Sequence, residues 1–481
     1  MKRESHVPSV FKHYLNGSWV TSATAGLSMN PSDLDEPVGE YVRADARQVD
    51  TAIDAASAAW REWSQENGAR RAEALDAIGA ELIARRTELG RLLAREQGKT
   101  LPEAVDEAMH AGQLFRFFAG EALRNPVEHQ HAFRDGHGDT DTDVDIDVTR
   151  EAVGVIGLIT PWSFPLAIPA AKIAAALSLG NCVVFKPAEL VPGCAWALAD
   201  VISRSGLPAG VFNLVLGSGR QAGARIVANP AVQAVSFTGS ATTGYAVLQA
   251  GAARRARIQL ETSGRSALVV LDDANLNTAV DAAIRGSYSS NGQRGMASST
   301  LIVERGIYGR FVDAMTAKLD ALCIDHALKK GVDAGPVADD RQFRRNLETI
   351  AMATREGADL LHGGRPLERA TRGHFMEPAL FAGTPDMQIA REEIFGPVAV
   401  VIPADDYAHA LHLANDTPSA VCAGLCTTSL KHARHFRRNS LSGAVTVNLP
   451  TTAAEQRLPP DGTNDTGAMF FTRTRSAYVA G

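Results

Sequence analysis

Three segments place anion- and sugar-binding groups at the ends of apolar runs. In the first, Cys182-Val183-Val184-Phe185 leads into Lys186-Pro187-Ala188-Glu189. As a strand of a parallel sheet, this run carries Lys186 and Glu189 at its carboxyl end, where such sheets bind ligands. The Lys186 ammonium suits a phosphate or ribose hydroxyls. The Glu189 carboxylate suits a free ribose diol and repels a phosphate. In the second, Ala234-Val235-Ser236-Phe237-Thr238 runs into Gly239-Ser240 and a helical pattern whose first turn ends at Gly244. Backbone N–H groups at a helix start attract anions, and Ser240 adds a hydroxyl donor. The third is Gly217-Ser218-Gly219, after another strand-like run. It is a weak dinucleotide signal, because no acidic residue follows a further strand about 20 positions on. A packing turn between strand and helix is the better reading there.

The surrounding pattern supplies the elements that must hold these groups. Residues 47–124 are Ala- and Arg-rich, with apolar side chains at helical spacing. Residues 126–148 turn acidic and polar, and 142–148 alternate strictly, which predicts a strand with one apolar face. The His and Asp residues there read as a polar loop leading into that strand rather than as a metal site. From 152 to 260, short apolar runs alternate with helical stretches at 165–179, 191–204, 220–228 and 241–254. That rhythm predicts a parallel sheet with helices on both faces. Residues 266–446 repeat it with different strands, marking a second α/β domain, and no fixed-period repeat is present. The tail, 450–481, is loop-rich and ends in a strand-like run.

Size and charge narrow the class. A chain of 481 residues suggests two or three domains. A net charge of -6 without a long basic run argues against a nucleic-acid partner. The pairs Arg70-Arg71 and Arg254-Arg255 fit solvated helix faces. The longest apolar segment, 152–180, is interrupted by Pro161, Pro165, Pro169 and Lys172, which argues against a membrane span. The N-terminal residues offer no signal-peptide pattern. The five cysteines are scattered. Cys422 and Cys426 are four positions apart, but no second Cys/His pair completes a metal site, so none is expected. Buried thiols and a reducing cytoplasm fit this usage.

Five motifs occur in the order and spacing of one family: Phe-Lys-Pro-Ala-Glu at 185–189, Phe-Thr-Gly-Ser-Ala-Thr-Thr-Gly at 237–244, Leu-Glu-Thr-Ser-Gly at 260–264, Asn-Gly-Gln-Arg-Gly-Met-Ala-Ser-Ser at 291–299, and Glu-Glu-Ile-Phe-Gly-Pro-Val at 392–398. Over nearly the whole chain the sequence resembles the aldehyde dehydrogenase superfamily. Asn448-Leu449-Pro450-Thr451 and Gly292-Gln293-Arg294 make it most similar to the semialdehyde-oxidising branches. The resemblance implies that Lys186 and Glu189 contact the adenosine ribose and that Gly239 and Ser240 form the pyrophosphate turn, with Gly244, at the end of the helix's first turn, also on the coenzyme-binding side. Glu393 would hold the nicotinamide ribose, with Phe395 beside it. Trp162 would border the coenzyme cleft, with Lys172 in the same network, and Glu261 would be the general base. A plainer reading makes Glu261 a structural carboxylate capping a turn.

Four departures cluster where the family does its chemistry. Gly295 stands where the family has its nucleophilic cysteine, and the interval from Glu261 agrees with the family's base-to-nucleophile spacing. Glycine has no side chain with which to form a thioester. Ser163 replaces the asparagine that donates to the oxyanion, and losing one such donor costs about two to three orders of magnitude in rate. Leu-Glu-Thr-Ser-Gly replaces Leu-Glu-Leu-Gly-Gly. The stretch 458–471 replaces one that normally contains Pro-Phe-Gly-Gly.

The resemblance implies an α/β, aldehyde-dehydrogenase-like fold. It has a parallel Rossmann-type coenzyme domain (1–127 and 152–262), an α/β catalytic domain (263–447), and a small β oligomerisation arm (128–151 and 466–481). NAD is the expected cofactor, with NADP possible, and a homodimer or homotetramer the expected assembly. The expected activity is redox chemistry on a small carbonyl or imine-type substrate without a cysteine thioester. Two alternatives stay open. One is non-redox cyclisation, dehydration or isomerisation by Glu261. The other is a non-catalytic partner protein.

Overall fold

The computed structural model describes residues 10–124, 128–131, 144–262, 264–417, 420–456 and 467–480. Two seven-stranded sheets organise it. In the first, the order is Arg257–Thr262, Ala234–Gly239, Val155–Ile159, Cys182–Lys186, Phe212–Leu214, His13–Leu15 and Ser18–Val20. The first five strands are mutually parallel. The chain starts at Val155–Ile159, winds outward through Cys182–Lys186 and Phe212–Leu214, then crosses back to Ala234–Gly239 on the other side. That reversal is the switch point at which doubly wound sheets open a ligand crevice. His13–Leu15 and Ser18–Val20 extend the sheet antiparallel.

These strands form as they do because both faces are covered. Val155–Ile159 and Cys182–Lys186 are buried at every position, which is why they read as continuous apolar runs rather than as alternation. Ala167–Ser178 and Pro192–Ser203 cover the sheet, with nearly every residue buried. The helical stretch at 220–228 divides into a π turn, Gly219–Gly223, and a short α-helix, Ala224–Ala228.

The second sheet runs Asp359–His362, Ala379–Ala382, Val398–Ala404, Thr300–Glu304, Arg265–Val270, Ala420–Cys426, Ala444–Val447. It is parallel except for the Asp359–His362 edge. Its two faces bury separate cores, one around Phe381, Ile402 and Phe436, the other around Leu268, Val303 and Phe311. A three-stranded sheet pairs Thr472–Ala480 with Val144–Ala152 along its length and adds Glu128–His131. The strand expected at 142–148 is seen from Val144 onward, and residues 142 and 143 lie outside the described residues. So does 457–466, which carries most of the altered tail stretch.

Helical pattern across 47–124 resolves into Ala46–Gln65, Gly68–Ala84, Arg86–Gln97 and Leu101–Ala122. Side chains cap two of the starts reciprocally. Asp45 Oδ1 accepts from Gln48 N at 2.8 Å while Gln48 Oε1 accepts from Asp45 N at 3.2 Å. Thr100 and Glu103 repeat the device, with Pro102 in the first turn, where its missing N–H costs nothing. Residues 10–43, ahead of these helices, form strands, among them the hairpin of Thr24–Asn30 with Asp33–Arg43. Among the described residues no helix is long and apolar enough to cross a membrane, and no group of His, Cys, Asp and Glu is arranged to hold a metal ion.

Candidate functional site

A cleft of about 1370 Å³ opens where the carboxyl ends of the first sheet's strands face the loops of the second. Four of those strands deliver residues to it. Thr160, Trp162 and Ser163 follow Val155–Ile159, and Lys186 ends Cys182–Lys186. Gly239 and Ser240 end Ala234–Gly239, and Glu261 lies near the end of Arg257–Thr262. Gly295, Glu393 and Phe395 line it from the opposite side. Trp162 meets Phe395 edge to face, with ring centroids 5.3 Å apart. That contact joins the two walls across their loops.

The phosphate-facing end is built for an anion. Ser240 caps Ala241–Ala252 through its side chain, and the N–H groups of that first turn point outward. A Cβ at Gly239 would stand 2.7 Å from the Phe237 ring. Lys186 is 5% exposed, and its ammonium makes no hydrogen bond or ion pair within the described residues. Burial pushes its ammonium down to about 8, with the Glu189 charge opposing. The hydroxyl of Thr160, also on the cleft wall, is buried without a partner among the described residues. A buried cation, an unpartnered hydroxyl and an open helix start together suit a ligand with phosphate and sugar groups.

Two of the expected contacts face elsewhere. Gly244 is buried under Ala241–Ala252, and a Cβ there would stand 2.9 Å from Thr262 Cγ2. It lets the helix sit on its strand and does not reach the cleft. Glu189 also stays off the cleft wall. Its Oε1 accepts from Tyr41 Oη at 3.3 Å and lies 3.4 Å from Arg43 Nε. In the Gly217-Ser218-Gly219 turn, Gly217 takes φ +146° and packs on Ala44, as a packing turn requires. Gly219, by contrast, opens onto the cleft.

Glu261 sits in a chain of polar side chains. Its Oε2 lies 2.8 Å from Lys172 Nζ and accepts from Thr238 Oγ1 at 2.7 Å. Lys172 also donates to Ser236 Oγ at 2.7 Å, and Ser236 donates to Gln259 Oε1 at 2.7 Å. The Lys172 side chain is 5% exposed and that of Glu261 21%, so the carboxylate is the cleft-facing end of the pair. This goes beyond capping a turn. The carboxylate is an oriented acceptor on the cleft wall.

Sequence reasoning missed the support beneath Ser163. Lys99 Nζ donates to Ser163 O at 2.7 Å, pairs with Glu107 Oε2 at 2.5 Å and stands 3.4 Å from the Phe164 ring centroid. Both side chains of the pair are 1% exposed. Glu107 Oε1 accepts from Leu166 N and Ala167 N at 2.9 and 3.2 Å, capping the helix behind the loop. A signal for Glu107 existed. It lies on the apolar stripe formed by Ala104, Ala108, Ala111 and Phe115.

The loop at 291–299 is strained and clamped. Ser290, Asn291 and Gly292 take φ of +51°, +57° and +63° in succession. Glu103 Oε1 accepts from Ser290 N at 2.9 Å, and Asn291 Nδ2 donates to Gly335 O and Pro336 O at 2.8 and 2.7 Å. A Cβ at Gly292 would stand 2.2 Å from Gly396 O, so this loop and the Glu393–Phe395 loop touch backbone to backbone. Thr451 Oγ1 donates to Met296 O at 2.6 Å from the far side. Gly295 itself does not take a positive φ. Its backbone would accept a residue with a side chain. None of the five cysteines lines the cleft: Cys182, Cys194, Cys422 and Cys426 are buried and Cys323 is exposed elsewhere.

The comparisons agree with this architecture. Residues 19–478 match the model of the aldehyde dehydrogenase family. The chain is 36% identical over 487 residues to the α-ketoglutaric semialdehyde dehydrogenase of Bacillus subtilis (strain 168), covering 98% of each chain. It is 34% identical to the peroxisomal aminoaldehyde dehydrogenase 1 of Pisum sativum, covering 88% of this chain and 84% of that one. Among solved structures, HpcC from Thermus thermophilus superposes with a TM-score of 0.90 at 32% identity, covering 98% and 93%. A point mutant of betaine aldehyde dehydrogenase from Staphylococcus aureus, in complex with NAD+ and with a BME-modified cysteine, superposes with a TM-score of 0.92 at 27% identity, covering 98% and 97%. On the fold, the cleft and these matches, the chain belongs to the aldehyde dehydrogenase family.

Proposed function

We propose that the protein is an NAD(P)-dependent oxidoreductase that acts on a small carbonyl or imine-type substrate without a cysteine thioester. One observation carries this reading: the cleft keeps an anion-binding end and an oriented carboxylate, while no thiol lines it. Lys186, Ser240 and the first turn of Ala241–Ala252 would hold the phosphates, and Glu393 the nicotinamide ribose between Trp162 and Phe395. The bound dinucleotide supplies the hydride acceptor. Glu261 is placed to take a hydroxyl proton from a carbonyl hydrate held beside Gly295, and loss of the carbon-bound hydride to a bound coenzyme would then leave the carboxylic acid. Lys172 and Thr238 position Glu261 for that proton. The side chain absent at Gly295 leaves room for the hydrate oxygen, and the Ser163 hydroxyl is the nearest analogue of the family's oxyanion donor.

Arg294, next to Gly295 on the cleft wall, has its guanidinium 5.0 Å from the Phe164 ring. Its charge suits a substrate that carries a carboxylate. The name of the Bacillus subtilis relative, a semialdehyde dehydrogenase, supports that class. The proposed domains are the coenzyme domain at 1–127 and 152–262, the catalytic domain at 263–447, and the arm at 128–151 and 466–481. The arm's outer strands have an edge left unpaired among the described residues, which favours a homodimer or homotetramer, and a cytoplasmic location fits the reduced cysteines.

Tryptophan-fluorescence titration with the four nicotinamide dinucleotides tests the coenzyme half. Nicotinamide absorbance across aldehydes and imines tests the chemistry, with Glu261→Gln as the control. Saturable binding and a turnover lost in Glu261→Gln are expected. Absence of any binding would end the proposal.

A further inference from the structure

We infer that Arg43 makes this cleft tolerant of a phosphate on the adenosine ribose, so that NADP+ is accepted alongside NAD+. The inference rests on the coenzyme reading above and extends it to coenzyme choice. A lone carboxylate at the Glu189 position would receive the ribose diol and repel a 2′-phosphate. Here the carboxylate is not alone. Arg43 Nε lies 3.4 Å from Glu189 Oε1, Tyr41 Oη donates to the same oxygen at 3.3 Å, and Arg43 Nη2 donates to Tyr41 Oη at 3.0 Å. The three side chains close a ring that draws Glu189 off the cleft wall, while Lys186 and Ala188 remain on it.

The backbone beside Arg43 is tied to a turn at this end of the cleft. It is the last residue of Asp33–Arg43, and the next residue, Ala44, donates its N–H to Leu216 O at 2.9 Å. Leu216 leads directly into the Gly217-Ser218-Gly219 turn, whose Gly219 opens onto the cleft. The Arg43 and Glu189 side chains are 45% and 35% exposed, so both are open to an arriving ligand. Arg43 Nη1 makes no hydrogen bond within the described residues, which leaves one arm of the fork for a phosphate oxygen. Arg43 cancels the Glu189 carboxylate, and the Lys186 ammonium then leaves this end of the cleft net positive.

The test is isothermal titration of NAD+ and NADP+ against the full-length protein, Arg43→Ala and Glu189→Gln. The unmodified protein should bind the two with dissociation constants within about tenfold of each other, since the exposed pair cancels most of one carboxylate's repulsion. Arg43→Ala should raise the NADP+/NAD+ ratio of dissociation constants by about five- to tenfold, the effect of one half-exposed charge on a dianion. Glu189→Gln should lower it. Binding of NAD+ with NADP+ weaker by more than about a hundredfold would overturn the inference while leaving the coenzyme reading intact. So would a ratio that Arg43→Ala does not move. Binding of neither coenzyme would overturn both.

Discussion

Replacing Glu107 by glutamine should destabilise the protein severely although it changes one atom. The amide keeps an oxygen for Leu166 N and Ala167 N, so the helix cap survives. What is lost is the charge opposite Lys99, whose side chain is 1% exposed and otherwise meets Ser163 O, the Phe164 ring and the more distant Glu103 charge among the described residues. Burial already holds the Lys99 ammonium below its ordinary range, and Glu107 is the main group opposing that shift. Breaking a buried pair from one side costs about 3–5 kcal/mol, because the remaining charge is stranded. Urea unfolding followed by tryptophan fluorescence reads the loss. A double-mutant cycle with Lys99→Met isolates the cause. The double variant should be more stable than Glu107→Gln alone, since it removes the stranded charge. Coenzyme affinity should fall in the single variant as well, because Lys99 holds the Ser163 carbonyl. A Glu107→Gln protein within about 0.5 kcal/mol of the parent would refute this reasoning.

Gly292→Ala should cost at least about 2 kcal/mol and broaden or abolish cooperative unfolding, since its Cβ meets Gly396 O at 2.2 Å with φ at +63°; an unchanged melting profile would contradict the clamp. Gly295→Cys should fold normally, because φ there is unexceptional. It should nonetheless restore aldehyde oxidation to no better than about a hundredth of the rate with a complete oxyanion hole, and a pre-steady-state burst of reduced coenzyme comparable to the family's would refute that. Lys186 gives a pH dependence. Its ammonium is charged below about 8, so coenzyme affinity should weaken as pH rises through that value, and Lys186→Met should flatten the profile. The sign for the free protein is opposite. The folded lysine loses its proton before the unfolded one, so stability without coenzyme should rise from about pH 8 towards the ordinary lysine value.

Much of the scaffold was legible because parallel strands buried on both faces leave unbroken apolar runs, as at Val155–Ile159 and Cys182–Lys186. The anion-binding end was legible for a similar reason: Gly239 and Ser240 sit where a strand stops and a helix starts, a local event. Contacts between distant segments were not. Nothing near Glu189 announces Tyr41 and Arg43, almost 150 positions earlier, and the turn of its carboxylate off the cleft follows from that pairing. Gly244 was read as a ligand contact because it closes a helix turn, yet its role depends on Thr262 of the neighbouring strand. The strained run Ser290–Gly292 is sustained by Glu103, Gly335 and Gly396, three partners from three other segments. Short strands such as His13–Leu15 escape periodicity because two or three residues carry no period.

On the proposed mechanism, hydride leaves the substrate carbon in this cleft without a sulfur taking part. Exhaustive iodoacetamide treatment of the folded protein, followed by a coenzyme-reduction assay and intact-mass measurement, tests it most directly. Burial pushes the Cys182 and Cys426 thiols up to about 12 and that of Cys194 well above its ordinary value, so only the exposed Cys323 should react. One added label and an unaltered rate are expected, with no acyl adduct after incubation with substrate and coenzyme. Inactivation by the reagent, or an acylated cysteine in the mass spectrum, would contradict it.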